Sequence, residues 1–262
     1  MSLQPAVFLS HGAPTAAIEQ NTYSEALAHF GQQHASPEAI IVVSAHWQER
    51  WPVRVTSWAH APLIYDFGGF PDELYRIQYP APGQPKLAAE VVSLLKGSDI
   101  DSAVETKRGL DHGAWVPLSL TWPAANIPVL QVSLPMPASP EQILAIGLGL
   151  RPLRERGVLL MGSGGIVHNL RRVRLGGDPP PDDWAVQFDE WVQARLNERD
   201  FDSLLNYQRL GPHAELAQPT PEHFDPIFFV LGATANDDKL VVIYEGIRYG
   251  SLSLRSFCYE SA

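Results

Sequence analysis

Short, unbroken apolar runs of strand length punctuate the chain at residues 6–9, 39–43, 53–56, 129–133, 157–161 and 240–244. Most of them lack polar alternation, which is the pattern of central strands covered on both faces. Segments with helical spacing lie at 23–30, 86–96, 140–155, 184–199, 201–207 and 222–233. Two helix starts carry a capping residue followed by proline at the first helical position, Ser139-Pro140-Glu141 and Thr220-Pro221-Glu222. Alternating strands and helices predict an α/β fold with a mostly parallel central sheet flanked by helices on both faces. Residues 104–108 and 251–258 read as extra or antiparallel edge strands. The run Asp178-Pro179-Pro180-Pro181-Asp182-Asp183 reads as a loop, because consecutive prolines cannot join a helix interior or a sheet ladder. No internal repeat or low-complexity tract divides the chain, so residues 1–262 are expected to form a single domain.

Composition narrows the class of partner. The chain of 262 residues is 45% hydrophobic and 18% charged, against roughly 25% charged in ordinary soluble proteins, which excludes a disordered chain. A formal charge of −10 opposes binding to nucleic acid or to an anionic membrane surface and leaves a small neutral or polar ligand as the expected partner. The single cysteine, Cys258, excludes an intramolecular disulfide and a cysteine-based zinc knuckle; it reads as an inert strand thiol in a reducing cytosol. The amino terminus has no basic region ahead of a long apolar run, and no stretch approaches the ~20 apolar residues of a membrane span. A soluble, cytoplasmic protein is expected. Oligomeric state is left open.

Four histidines fall at strand ends or helix starts, where an open α/β sheet presents its residues to a ligand. His11 in Ser10-His11-Gly12-Ala13-Pro14 and His46 in Ser44-Ala45-His46-Trp47 each follow an apolar strand. A ring so placed must satisfy both nitrogens, by hydrogen bonds or by a metal. His168 follows the turn Gly162-Ser163-Gly164-Gly165, which lacks the full dinucleotide-binding spacing and any Walker lysine. Its glycines more simply permit close backbone approach. His223 stands near a helix start, where the helix dipole favours the neutral, metal-binding imidazole; helix capping is its alternative role. His112, in Leu110-Asp111-His112-Gly113, reads as part of a loop dipping into a site, as an acid/base or a hydrogen-bond donor, or else as a plain turn. Asp111 is not expected to orient it, since adjacent side chains seldom face each other. His29, His34, His60 and His213 read as surface residues. Ser163 lacks the Gly-x-Ser-x-Gly elbow of a hydrolase.

The segments around His11, His46, His112, His168 and His223, together with Tyr65-Asp66-Phe67-Gly68-Gly69-Phe70-Pro71, occur in one order from Ser10 to Phe224. Together they resemble the class III extradiol ring-cleaving dioxygenases, in the branch that includes 4,5-DOPA dioxygenase. The resemblance implies His11, His46 and His223 as metal ligands and His168 as the acid/base beside the metal, or alternatively a fourth ligand. It implies His112 on the substrate or dioxygen side. Related enzymes with a glutamate as third ligand differ here; Glu222 would leave a helix about 100° away from His223, so His223 is the expected ligand. The implied reaction is metal-dependent extradiol cleavage of a DOPA-like catechol with O2 to a muconic semialdehyde. The resemblance implies Fe(II) as the working metal, and three neutral imidazoles would also suit Zn(II). Trp47, Tyr65, Phe67 and Trp115 are candidates for an aromatic wall against the substrate, with core packing the alternative. Two other functions compete on the same residues: a zinc hydrolase, in which the three imidazoles lower the pKa of bound water, and a non-enzymatic binding protein.

Overall fold

The computed structural model describes residues 3–177 and 179–261. In chain order the strands and helices are β1 (Ala6–Ser10), α1 (Thr22–Gln33), β2 (Ala39–Arg50), β3 (Val53–Thr56), α2 (Pro85–Gly97), β4 (Ser102–Glu105), α3 (His112–Thr121), β5 (Val129–Met136), α4 (Pro140–Leu150) and β6 (Val158–Gly164). They continue with α5 (Asp183–Glu198), α6 (Phe201–Leu205), α7 (Tyr207–Leu210), α8 (Ala214–Ala217), α9 (Pro226–Ala233), β7 (Lys239–Tyr244), β8 (Ile247–Arg248), β9 (Leu252–Ser253) and β10 (Ser256–Glu260). Eight strands form one sheet in the order β4-β3-β5-β2-β6-β1-β10-β7, and β8 and β9 form a separate ribbon. The centre, β5-β2-β6-β1, is parallel. Two pairs flank it: β3 with β4, parallel to each other and antiparallel to β5, and the antiparallel β10 and β7.

Alternation along the central strands divides the core into two layers. Ala6, Phe8, Ile41, Val43 and Leu160 pack beneath α2, α4, α5 and α9, whereas Val7, Leu9, Ile40, Val42 and Met161 pack beneath α1 and α3. Both faces are therefore covered, which is why these strands read as continuous apolar runs.

Several elements differ from the sequence expectation for local reasons. The helix expected over 140–155 stops at Leu150 and continues as a 3-10 segment, Arg151–Arg156, because Pro152 ends the α-helical ladder. Its Ser139 cap is present as a full capping box with Gln142. The helix expected over 222–233 is a 3-10 turn, Pro221–His223, followed by α9, with Pro226 in its first turn. The segment expected to be a loop around His112 is the start of α3, with Asp111 as its cap; Pro117 and an unbroken apolar surface hid its helical period. Leu240–Tyr244 lies in an edge strand with partly exposed residues, not a covered one. Residues 104–108 are represented by β4, which is an edge strand but parallel to its neighbour. Residues 251–258 split into β9 and β10. Phe201–Tyr207 is broken at Asn206. Of the proline-rich run, Asp178 lies outside the described residues, Pro179–Pro181 are irregular and Asp183 begins α5.

Candidate active site and metal centre

Because β1, β2 and β6 are parallel, their carboxyl ends share one edge of the sheet, and the histidines gather there. His11 directly follows β1, and its backbone N–H donates to the Gly164 carbonyl at 3.2 Å. His46 lies within β2, which runs on to Arg50 rather than ending at Val43. Between Val43 and Gln48 the register with β5 shifts, and this bulge takes residues 44–47 out of the ladder with β5 at the site, while Ser44 stays paired with Ser163 of β6. His223 is delivered by its 3-10 turn, whose carbonyl accepts the Gly165 N–H at 2.8 Å. A Cβ on Gly164 would collide with that His223 carbonyl oxygen, so glycine is what lets the two segments close. His168 is in a loop after β6, not in a helix, with its N–H donating to the Ala217 carbonyl at 2.9 Å.

The ring contacts form a compact array. His11 lies 4.9 Å from His46, 5.3 Å from His223 and 5.5 Å from His112, centroid to centroid. The His46 ring is 5.1 Å from His223 and 4.0 Å from His112. His168 stacks on His223 at 3.5 Å with an interplanar angle of 8°. Potential ligand atoms of His11, His46 and His223 all lie within 4.8 Å of one another; His168 is not in that group.

Hydrogen bonds on the outer ring nitrogens fix which nitrogen faces inward. The Ser163 hydroxyl donates to the Gly113 carbonyl, so at its 3.1 Å contact with His11 Nδ1 it accepts, and the proton sits on Nδ1. His223 Nδ1 donates to the Glu222 carboxylate at 3.1 Å. His112 Nδ1 donates to Asp66 Oδ1 at 2.9 Å, and His46 Nδ1 faces Asp66 Oδ2 at 3.4 Å. All four rings thereby present an unprotonated Nε2. His11 Nε2 and His46 Nε2 face each other at 3.1 Å, and His223 Nε2 is buried with no hydrogen-bond partner. Two lone pairs at this distance repel and a buried acceptor without a donor is costly, so the arrangement calls for a cation. A separation of 3.1 Å is also of the size that two nitrogens roughly 2.0–2.1 Å from one ion span. A second set, His46, Asp66 and His112, is also close enough to hold a metal. Its Asp66 is already engaged by the His112 N–H groups of backbone and ring, both at 2.9 Å, and serves as an orienting carboxylate.

The electrostatics agree with neutral, metal-ready rings. Burial, then the neighbouring imidazoles, hold His11 well below its ordinary value. Burial and His112 lower His46 to about 2, and burial and His223 lower His168 to about 3. Burial raises the carboxyls of Asp66 and Glu222, but the hydrogen bonds they accept outweigh it and hold each at about 2. Both are therefore anions beside the rings of His46, His112 and His223. A pH dependence follows with a definite sign. An unfolded histidine binds a proton below about 6.5, whereas these three stay neutral in the fold until far lower pH. The metal-free protein should lose stability as pH falls from 7 to 5, by up to about 1.4 kcal/mol per pH unit for each such ring well below 6.5. Asp225, which burial and then Glu222 raise to about 7, takes up a proton over the same range and offsets about one ring's share of that loss, leaving the net sign unchanged. Asp66 and Glu222 join only nearer pH 4. A thermal melt series of metal-free protein checks this; a flat profile between pH 7 and 5 contradicts it.

Asp111 holds the frame. Fully buried, it accepts from Ser44 Oγ at 2.7 Å, Gln131 Nε2 at 2.9 Å and Arg108 at 3.1 Å, and it caps α3 at Ala114. Ser44 Oγ accepts the His46 N–H in turn. The bulge of β2, strand β5 and the start of α3 are thus locked together.

The aromatic candidates separate. Phe67 is edge-on to His112 at 5.6 Å and also contacts Tyr65 and Trp115. Trp115 is fully buried with its indole N–H donating to the Ile64 carbonyl, and the Tyr65 hydroxyl donates to Ile77. Both support the Phe67 loop. Trp47 is buried under the Arg108 guanidinium, 5.1 Å from its ring centroid.

Sequence reasoning passed over the roles of Asp66 and Glu222. Asp66 lies 46 positions from His112; its only signal was its place in the Tyr65–Pro71 segment. Replacing Asp66 with Asn would turn an amide NH2 toward His46 Nδ1 and favour the tautomer whose Nε2 carries a proton. Asp66→Asn should weaken metal affinity or turnover by roughly 10–100-fold, the usual effect of losing an outer-shell carboxylate. Unchanged metal affinity together with unchanged turnover would remove Asp66 from the site.

Comparison with known proteins identifies the family. Residues 4–253 match the family described as the catalytic LigB subunit of aromatic ring-opening dioxygenase. The chain is 40% identical over 255 residues to a protein of Escherichia coli (strain K12) named 4,5-DOPA dioxygenase extradiol, covering 96% of this chain and 93% of that one. It is 37% identical over 268 residues to the Beta vulgaris protein of the same name, covering 99% and 98%. The crystal structure of an uncharacterized protein from Escherichia coli K12 superposes with a TM-score of 0.84 at 37% identity, over 98% of this chain and 100% of that one. With the family matched across nearly its whole length, this chain belongs to the LigB family and is an extradiol aromatic ring-opening dioxygenase.

Proposed function

We propose that the protein opens the ring of a DOPA-like catechol beside one of its hydroxylated carbons, using O2 and a divalent metal held by His11, His46 and His223, and acts in the cytoplasm. The observation that carries this reading is the convergence of unprotonated Nε2 atoms from these three histidines, two of them 3.1 Å apart and the third buried without a partner. Two relatives named for 4,5-DOPA cleavage support the substrate class.

Fe(II) is the working metal, because coupling O2 to a ring needs a redox-active ion; Zn(II) suits the same three donors and would give an inactive form. When bound, the metal supplies Lewis acidity that favours the deprotonated diol and an electronic path between ring and O2. The remaining work falls to the chain. His168, neutral and partly exposed beside His223, takes a proton from a catechol hydroxyl. His112, with Nδ1–H held by Asp66, offers Nε2 as an acceptor; once protonated there it is stabilised by that carboxylate and can return the proton. Phe67 offers an aromatic edge or face near His112 against which a catechol ring can lie.

Catechol and O2 combine in equal amounts, and both oxygen atoms enter the semialdehyde product. Mass spectrometry of the product from L-DOPA under isotopically labelled O2 tests this. Label in the newly formed carboxylate of a semialdehyde is the expected outcome. A diacid, or an unlabelled hydrolysis product, would overturn the reading.

A further inference from the structure

We propose that His34, Cys258 and Glu260 form a second cation site, separate from the histidine cluster and suited to zinc. Cys258 and Glu260 are two residues apart on β10 and so share one face of the sheet, the face covered by α1. His34 follows the last residue of α1 and reaches the same place. Tyr259 pairs with Ala6 at the start of β1, so this triad lies at the opposite edge of the sheet from His11, which follows the end of β1.

The local hydrogen bonding aims the donors. His34 Nδ1 lies 2.9 Å from the Phe30 carbonyl, an oxygen in the last turn of α1, and donates to it. His34 Nε2 is then the free acceptor, yet it faces Glu260 Oε2 at 2.8 Å. Cys258 Sγ lies 3.9 Å from the same carboxylate oxygen, and all three donor atoms fall within 4.8 Å of one another. A proton on Nε2 would satisfy only the imidazole and the carboxylate. A metal ion would use all three groups. Sulfur, nitrogen and oxygen donors together suit a borderline-soft ion of the zinc type, with a fourth position open to water. The side chains of His34 and Glu260 are 21% and 33% exposed, which gives an ion a way in, while Cys258 is buried behind them.

Burial, and the Glu260 carboxylate beside it, push the Cys258 thiol up, so without metal it keeps its proton. Arg154 and its partner Asp238 also act on the thiol, in opposite directions. Binding would form a metal–sulfur bond, break the S–H bond and release one proton to solvent, with no change of oxidation state. Occupancy would tie the carboxyl-terminal strand to the end of α1.

Cobalt(II) is the probe. Cys258 is the only cysteine of the chain, so a thiolate-to-cobalt charge-transfer band in the near ultraviolet reports this site alone, whatever the histidine cluster binds. Full-length metal-free protein titrated with Co(II) should develop the band. Cys258→Ser should lack it while retaining the ligand-field spectrum of the histidine site. His34→Gln, a partly exposed position just past a helix end, should weaken the titration at least tenfold and serves if the serine variant fails to fold. A wild-type protein with no thiolate band at saturation overturns the proposal, as does a band that forms equally tightly in His34→Gln.

Discussion

His223→Ala is expected to fold, to bind iron far more weakly than the wild type, and to open no catechol ring. The segment is held by its backbone: the His223 carbonyl accepts from Gly165, and the Phe224 N–H donates to Pro221. Alanine keeps both bonds. The imidazole itself makes one outward hydrogen bond, to Glu222, which also accepts from Thr220. Its Nε2 is the buried atom with nothing to bind. Removing it takes away an unsatisfied group, so stability should change by no more than about 1–2 kcal/mol. The metal would lose one of three protein ligands, an effect larger than the roughly 10–100-fold that follows loss of an outer-shell partner. Metal content after gel filtration and O2 uptake with L-DOPA measure the two consequences. Full iron content with wild-type turnover would show that His223 is not a ligand.

The second large effect belongs to His168. Its ring stacks on His223 at 3.5 Å but lies outside the group formed by His11, His46 and His223. Burial and His223 keep it neutral, lowered to about 3, so at neutral pH the ring is in the unprotonated form that a general base requires. His168→Ala should retain one metal per chain and lose roughly 10²–10⁴-fold in kcat, the usual range for a general acid–base group. The loss should fall on kcat more than on binding of the catechol. If the variant loses its metal in parallel with its turnover, His168 is a fourth ligand and the proton transfer belongs to His112.

Much of this architecture was legible because burial on both faces leaves an unmistakable mark. Runs such as 39–43 and 157–161 carry the mark of central strands, and their carboxyl ends point to a site edge. The residues closest to those ends, His11 and His46, were found for that reason. Helix α3 escaped because it is apolar all round and contains Pro117, so no amphipathic period marks it. The break at Pro226 was overlooked, and with it the fact that His223 sits in a 3-10 turn ahead of the helix rather than inside its first turn. Asp66 was invisible as a functional group because its partners, His46 and His112, come together only through the β2 bulge and the start of α3. Glu222, a rival ligand by sequence position alone, instead accepts a hydrogen bond from His223 Nδ1 and so orients that ring. Orienting groups of this kind are a tertiary property, and a spacing rule written for one helix or one strand does not contain them.

The most direct measurement is anaerobic reconstitution of metal-free protein with Fe(II) or with Zn(II), followed by O2 uptake on L-DOPA and a small panel of other catechols. The iron form should take up O2 in equal amount with catechol consumed and give a new yellow product, and the zinc form should do neither. No uptake by a protein with its iron site full, or equal activity in the zinc form, would contradict ring opening at a redox-active metal held by His11, His46 and His223.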